Sequence, residues 1–285
     1  MSDKPEPLVS IVIPTHNSSS TLAKCLQSIE GQDYPNLEVV IVDSNSQDDT
    51  KSIAEHFGAT FKTIRGKLLE ARYVGLLETR GSLILLLDSD QVLEKSAIRR
   101  AVHLIGKYDM LCLEERAYEC RNWLQRLFDA DRHLVHSLRR CQLDPLEGTL
   151  MARFYRRDIL CKAFRAIPEK LMPLVVAHDH AILYYEACRI SHMVGILPRA
   201  VSHIEPTSLI DLWRKNYRYG KSTRDLEKTG YYIELIRRKT RFRKGGFTKK
   251  TFSYWIQSSL LLVLKGLAYQ AGYRLGEFIN PTNYI

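Results

Sequence analysis

The sequence predicts an α/β fold, a mostly parallel central sheet flanked by helices and followed by a basic helical region. Three observations carry that prediction. Leu83 to Leu87 form an unbroken apolar run that ends on two carboxylates, Asp88 and Asp90. A short run of this kind suits a strand buried on both faces. Residues 8–90 alternate such runs with stretches of helical periodicity, the order that builds parallel sheets with right-handed crossovers. The charge is also divided unevenly. Residues 1–206 hold 26 Lys+Arg against 27 Asp+Glu, and residues 207–285 hold 16 against 5. A chain of 285 residues is expected to form one large domain with an appendage. The charge break places the sheet-bearing unit at 1–206 and a basic helical unit at 207–285, suited to an anionic surface.

Each element can be justified in turn. Leu8 to Ile13 is rich in β-branched residues and stops at Pro14, a first buried strand and its turn. Thr15, His16 and Asn17 follow, small polar groups suited to a ligand-binding loop. Leu22, Leu26 and Ile29 recur at helical spacing over Thr21 to Glu30, and Pro35 interrupts. Leu37 to Val42 is the second strand, ending on Asp43. Asp48 can cap a helix carrying Ile53 and Phe57, with Gly58 at its far end. Thr60 to Ile64 is a short third strand. Lys67 to Thr79 is helical, and Gly81 precedes the strand that leads to Asp88.

In open α/β sheets ligands sit just beyond the carboxyl ends of the strands. Asp43, Asp88 and Asp90 are expected there together. With period-2 alternation Asp88 and Asp90 point the same way. Both can then reach one hard cation, whose open positions take phosphate oxygens. The plainer reading of D-x-D is an acidic cap on a following helix. A carboxylate at the end of a second strand, such as Asp43, can accept hydrogen bonds from a base or ribose. No G-x-G-x-x-G follows the first strand, which argues against a dinucleotide, and no G-x-x-x-x-G-K-[ST] is present, which excludes a P-loop.

Four segments now stand in order: V-S-I-V-I-P-T-H-N, V-V-I-V-D-S-N-S-Q-D-D-T, A-R-Y-V-G-L and G-S-L-I-L-L-L-D-S-D. Together they resemble the family 2 glycosyltransferases with the Rossmann-like GT-A fold, over about residues 8–205. The resemblance implies that Pro14, Thr15 and Asn17 line a nucleoside pocket and that Asp43 contacts the base. It places Arg72 near the nucleotide, although Arg72 read alone is a solvated helix charge. It also implies that Asp88, Ser89 and Asp90 engage ribose and a diphosphate held by Mn2+ or Mg2+.

The second half is read with the same tools. Lys95 to Gly106 is a helix with Ile98, Ala101, Val102 and Ile105 on one face, and Met110 to Leu113 is a strand. Asn122 to Cys141 is an amphipathic helix that packs on the sheet or faces a membrane. Glu147 to Arg157 resembles the family's acceptor-side strand. In Val175 to His180 the family places its catalytic base, usually within a Glu-Asp pair. Here His178 stands where the Glu would be, and Asp179 keeps the key position. An inverting transferase needs such a carboxylate to take the proton of the attacking hydroxyl. The plain alternative for Asp179 is a helix N-cap. In several relatives a His placed like His203 faces the diphosphate or metal, so His203 joins Asp88 and Asp90 as a candidate metal ligand. A lone His is otherwise structural. Arg214, Arg218 and Lys221 fall at i, i+4, i+7 spacing, a face that can close over a pyrophosphate or remain solvated.

Residues 237–250 carry eight Lys/Arg and no acid, and Thr251 to Tyr273 carries one charge, Lys265. Basic residues beside an apolar, aromatic-flanked helix indicate the cytoplasmic face of a membrane. Ile256, Leu260, Val263, Leu264 and Leu267 make one stripe, with Ser258 and Lys265 opposite. A mid-helix charge is costly in a bilayer core, so an in-plane helix is expected rather than a span; the plainer alternative is a buried helix docked on the catalytic domain. No nucleic-acid module frames the cluster, and nucleic acid is not an expected partner. The six cysteines are scattered, as in reduced cytosolic proteins, and M-S-D-K-P-E-P is no apolar signal segment.

The sequence therefore predicts a metal-dependent, inverting transferase anchored through its C-terminal region at the cytoplasmic face of the cell membrane. It would move mannose or glucose from a GDP- or UDP-sugar to a lipid-linked acceptor, a polyprenyl phosphate or a lipid-linked glycan. The alternatives are a capsule or surface-polysaccharide transferase, a nucleotidyltransferase, and a non-catalytic peripheral membrane protein.

Overall fold

A computed structural model of the chain describes residues 6–137, 143–239 and 252–276. Most of the basic run at 237–250 and the end of the helix expected at Asn122 to Cys141 lie outside the described residues.

One sheet of eight strands organises the molecule, in the order β3-β2-β1-β4-β7-β6-β8-β5. Its first half is the expected parallel unit. β1 (Val9–Thr15) lies between β2 (Leu37–Asp43) and β4 (Leu83–Leu86), and β3 (Thr60–Thr63) pairs outside β2. α1 (Ser19–Glu30), α2 (Thr50–His56) and α3 (Leu68–Glu78) are the crossovers. β1 and β4 are buried throughout, which is why they read as continuous apolar runs rather than alternating ones. The C-terminal ends of β2, β1 and β4 share one edge: Thr15 pairs with Asp43, and the Leu87 N–H donates to the Val12 carbonyl at 3.0 Å.

The second half is mixed. β7 (Ala152–Arg156) runs antiparallel to β4 and to β6 (Met110–Ala117). β8 (Val194–His203) runs parallel to β6 and antiparallel to the short β5 (Gln91–Leu93). The sheet is therefore parallel in its first half and mixed in its second, within the mostly parallel architecture expected. Asp88 to Asp90 do not cap a helix. They form the turn from β4 into β5, and α4 (Ala97–Leu104) starts later. β8 extends through His203, and Gln91 pairs with His203. That pairing sets Asp90 beside His203.

Two apolar clusters fill the two faces of the sheet, one around α3, α6 (Arg157–Ala166) and α7 (Asp179–Ile190), the other around α1 and α4. α3 approaches β1 closely because residue 75 is glycine. A Cβ there would lie 2.2 Å from Val12 Cγ1. This contact seats the N-terminal half of α3, which bears Arg72, over the strand ends.

A third, smaller cluster joins Leu124 of α5 (Trp123–Ser137), Leu212 of α8 (Leu209–Lys228) and Leu261 of α10 (Phe252–Leu275). α8 and α10 touch backbone to backbone, since a Cβ on Gly220 would meet the Tyr269 carbonyl oxygen at 2.0 Å and one on Gly272 the Tyr217 carbonyl oxygen at 1.9 Å. The short α9 (Ile233–Lys239) lies between them in sequence. Among the described residues, no helix is long and apolar enough to cross a membrane, and no disulfide links the cysteines.

Candidate active site

Three loops at the carboxyl edge of the sheet are fastened into one rim. Asp43, buried at the end of β2, accepts from the Thr15 hydroxyl at 2.7 Å and from the Ser46 N–H at 2.7 Å and hydroxyl at 2.5 Å. Asn17 adopts φ +50°, a conformation Asn tolerates better than most residues. Its backbone N–H donates to Ser46 Oγ at 2.7 Å, and its side-chain oxygen accepts from the Gln47 N–H at 2.9 Å. The Ser89 hydroxyl donates to Ser18 Oγ at 3.0 Å, tying the Asp88–Asp90 turn to the loop after β1. Thr15, Asn17, Asp43 and Ser89 thus stand together, as expected. Pro14 is a buried strand residue paired with Val42. His16 bonds the Ser44 carbonyl through Nδ1 at 2.8 Å.

Beside the rim runs a continuous chain of half-buried and buried charges in which acids and bases alternate. Arg72, fully buried, donates from Nε to Asp179 Oδ2 at 2.6 Å and from Nη2 to Asp88 Oδ1 at 2.5 Å. Asp88 Oδ2 accepts from Arg153 Nη1 at 2.8 Å. Arg153 lies 3.7 Å from Glu115, which pairs with Arg132, and Arg132 pairs with Glu205. Glu205 lies 3.5 Å from His203 Nδ1, His203 Nε2 lies 3.3 Å from Asp90 Oδ1, and Lys215 Nζ donates to Asp90 Oδ2 at 3.2 Å. Burying charge is costly unless each is paired. The alternation of acidic and basic side chains is what lets so many sit in one cleft.

The alternation also fixes protonation. Burial works to raise the Asp179 carboxyl, but His180 and Arg72 beside it hold it below the usual range. Burial likewise opposes ionisation of Asp88, and Arg153 and Arg72 take it well below. Asp90 is lowered by His203 and Lys215 against burial and the repulsion of Asp88. Burial alone would lower the Lys215 ammonium, yet Asp90 raises it. Glu115 is brought down to about 2 against burial, by Arg132 and Arg153. His180 differs: burial, then Arg153 and Arg72, push it down to about 4, so it is neutral at pH 7. Its Nε2 meets Arg153 and lies 3.8 Å from Asp179.

Asp179 opens α7 and is positioned from two sides. His178, immediately before it, has φ +68°, a strained conformation for a non-glycine residue. The strain is held by α8. Ser222 Oγ accepts from the Val176 and Ala177 N–H groups, both at 3.1 Å, and His178 Nε2 bonds Thr223 Oγ1 at 3.0 Å. The C-terminal portion therefore supplies part of the site, through Lys215, Ser222 and Thr223.

Two expectations are corrected. Asp88 and Asp90 do not share one set of partners; both Asp88 oxygens are taken by guanidinium groups, and Asp90 faces His203 and Lys215. Of the three expected metal ligands only Asp90 and His203 adjoin. Among the described residues no group of three His, Cys, Asp or Glu side chains is arranged to hold an ion. A carboxylate and an imidazole nitrogen converging at 3.3 Å do fit part of the shell of a divalent cation, with diphosphate oxygens and water completing it. The second correction concerns α8. Arg214 and Arg218 are exposed and Lys221 packs toward Gly276; the α8 cation that reaches the cleft is Lys215. Arg153, Glu115, Arg132 and Glu205 were also not singled out. For Arg153 and Glu115 the only sequence signal is the rarity of charge inside strand-like segments; Arg132 and Glu205, on a helix and a loop, carry none.

Comparisons with known proteins bear on the family and the fold. The model of the Glycosyl transferase family 2 family matches residues 10–162. A curated relative is the GalNAc(5)-diNAcBac-PP-undecaprenol beta-1,3-glucosyltransferase of Campylobacter jejuni, 32% identical over 101 residues, which cover 32% of this chain and 32% of that one. The matched segment thus spans about a third of that relative's length. Among solved structures, S. aureus TarS 1-349 in complex with UDP-GlcNAc aligns with TM-score 0.58 and 17% identity, over 95% of this chain and 91% of that one. The mannosyltransferase PcManGT of Pyrobaculum calidifontis in complex with GDP-Man and Mn2+ aligns with TM-score 0.52 and 17% identity, over 96% and 76%. At such identities the structures speak for the fold, a GT-A-like mixed sheet flanked by helices. The family match covers more than half of the sequence, and the chain belongs to glycosyl transferase family 2.

Proposed function

We propose that the chain is an inverting glycosyltransferase that moves a sugar from a nucleoside diphosphate donor to a lipid-linked acceptor at a membrane surface. The observation that carries this reading is Arg72, which joins Asp179 to Asp88 at 2.6 and 2.5 Å. It sets a candidate base and the donor-side carboxylates within one cleft. TarS and PcManGT, similar in fold, hold UDP-GlcNAc and GDP-Man, which supports a UDP- or GDP-sugar donor. The relative from Campylobacter jejuni is named for an undecaprenol-linked acceptor, which supports a lipid-linked one.

In this reading the rim of Thr15, Asn17 and Asp43 holds the nucleoside. Lys215 faces the diphosphate and stabilises the charge that grows on it as the glycosidic C–O bond breaks. Asp90 and His203 would hold Mn2+ or Mg2+, which when bound offsets charge on the leaving diphosphate. The acceptor oxygen attacks the anomeric carbon from the face opposite the leaving group. Its proton passes to Asp179, and the nucleoside diphosphate departs. Because Arg72 keeps Asp179 ionised, the base is ready at neutral pH. Its weak basicity suffices because the acceptor hydroxyl becomes more acidic as the new bond forms.

Thermal shift with GDP, UDP and CDP, with and without Mn2+, tests the donor side. Stabilisation by UDP or GDP that increases with Mn2+ is expected. No stabilisation by any of the three would leave the sheet a scaffold without a donor site.

A further inference from the structure

α10 carries one bare apolar stripe. On its inner side the Ser258 hydroxyl donates to Asp131 Oδ1 at 2.5 Å, and Lys265 lies over the Phe128 ring at 5.4 Å, both partners on α5. Four of its apolar residues face outward. Ile256, Leu260, Val263 and Leu267 are 57%, 48%, 58% and 59% exposed. At 3.6 residues per turn these four fall within one narrow stripe. Leu264, expected in that stripe, packs instead in the cluster with Leu212 and Leu261.

α8 presents a second apolar group. Ile210 and Trp213, 63% and 46% exposed, flank Leu212, which is packed against Leu261 of α10. Arg214 is exposed about 40° round α8 from Ile210, and Arg218 is exposed farther round, toward the Lys215 side. Two residues along a helix turn about 200°, so Lys215 points into the cleft while Trp213 points away from it.

Isolated exposed apolar residues are ordinary, but an ordered stripe, with a second apolar group on the helix packed against it, marks a docking surface. The charge around it indicates what docks. Arg214 borders Ile210, and the basic run 237–250 enters α10 directly in sequence. Long basic side chains can lie along apolar surface with their heads at a charged layer, and polybasic segments favour anionic lipid. We propose that α10 and the start of α8 form one lipid-docking platform that lies flat on an anionic bilayer, Ile256 to Leu267 and Ile210/Trp213 entering the headgroup boundary. This deepens the membrane reading above and rests on it. It also accounts for Lys265, since a platform lying in the interface keeps that charge turned toward the protein rather than in the acyl layer. The platform shares α8 with the donor site. Docking thereby fixes the height of the cleft above the headgroups.

The test uses the full chain, because removing residues 207–285 would also remove Lys215, Ser222 and Thr223. Sedimentation with phosphatidylcholine vesicles, with and without phosphatidylglycerol, is compared for the parent, for I256S/L260S/V263S/L267S and for I210S/W213S. Serine at exposed positions should leave the melting temperature and its shift by UDP or GDP unchanged, which separates this claim from the donor site. The parent should bind vesicles with phosphatidylglycerol and release them at high salt. Each variant should bind at least about tenfold more weakly, since each loses several apolar contacts with the interface. Parent-like vesicle binding by either variant overturns the platform. So does a parent that ignores vesicles and elutes as a dimer dispersed by the stripe variant, because a second copy would then cover the face.

Discussion

Arg72 and Asp179, 107 positions apart in sequence, meet at 2.6 Å with both side chains buried, and the same guanidinium reaches Asp88 at 2.5 Å. The candidate base is therefore not an isolated helix cap. It is held by the group that also holds the first carboxylate of the D-x-D turn. Replacing Asp179 with Asn keeps the shape and removes the basic oxygen. Asp179→Asn should lower transfer by about 10²–10⁴-fold while donor binding stays near parent. Equal loss of both in isothermal titration and turnover assays would mean that Asp179 shapes the donor site instead.

Arg72→Met leaves two carboxylates in the cleft without their shared cation. Breaking such a pair costs about 3–5 kcal/mol, and urea unfolding should show a loss of that order. Arg72→Lys, which keeps the charge but cannot reach both partners as a fork, should recover part of the stability and little of the turnover.

The α8 cations separate cleanly. Lys215→Met should weaken binding of UDP or GDP by about tenfold or more, the scale of a lost charge-assisted contact. Arg214→Met and Arg218→Met, on the exposed face, should leave it within about twofold. Loss of nucleotide binding in Arg218→Met with parent-like Lys215→Met would reverse the assignment.

Stability should fall as pH drops from about 6.5 toward 4. His180 is buried neutral with its pKa near 4, so over that window the unfolded chain takes up a proton that the folded chain refuses. Stability from this source is complete above pH 6.5 and declines below it, on the order of 3 kcal/mol when fully expressed. His178, lowered to about 4 mainly by burial, acts in the same direction. The carboxylates whose pKa values are lowered add their loss at still lower pH. Chemical denaturation at pH 7 and pH 5 should show the decline, and His180→Gln should flatten it.

The contact between α8 and α10 is set by glycine. A Cβ at Gly220 would lie 2.0 Å from a backbone oxygen, which no side-chain rotation relieves. Gly220→Val should destabilise the chain by about 1–3 kcal/mol, read as a drop in melting temperature. It should also lower donor binding, because α8 carries Lys215.

The sheet edge was legible because strand ends are local. Apolar runs that stop at Asp43 and at Asp88 declare where the chain leaves a buried strand. The chain of charges was not legible in the same way. Arg153 comes from β7, Glu115 from β6, Arg132 from α5 and Glu205 from beyond β8, and only the mixed half of the sheet brings them together. β5, three residues long, carries too little periodicity to be read, yet its pairing with β8 places His203 beside Asp90. On α8 the helical period was right and its phase was off by one residue. Spacing alone selects a face, and only packing against α10 decides which face turns inward.

The central claim is that this cleft transfers a sugar. The most direct measurement incubates membranes containing the chain, or its Asp179→Asn variant, with radiolabelled UDP- and GDP-sugars and follows label into the lipid fraction. The account predicts label from one of these donors, dependent on a divalent cation and lost in the variant. Label that appears equally with the variant, or with neither protein for any donor, would contradict it.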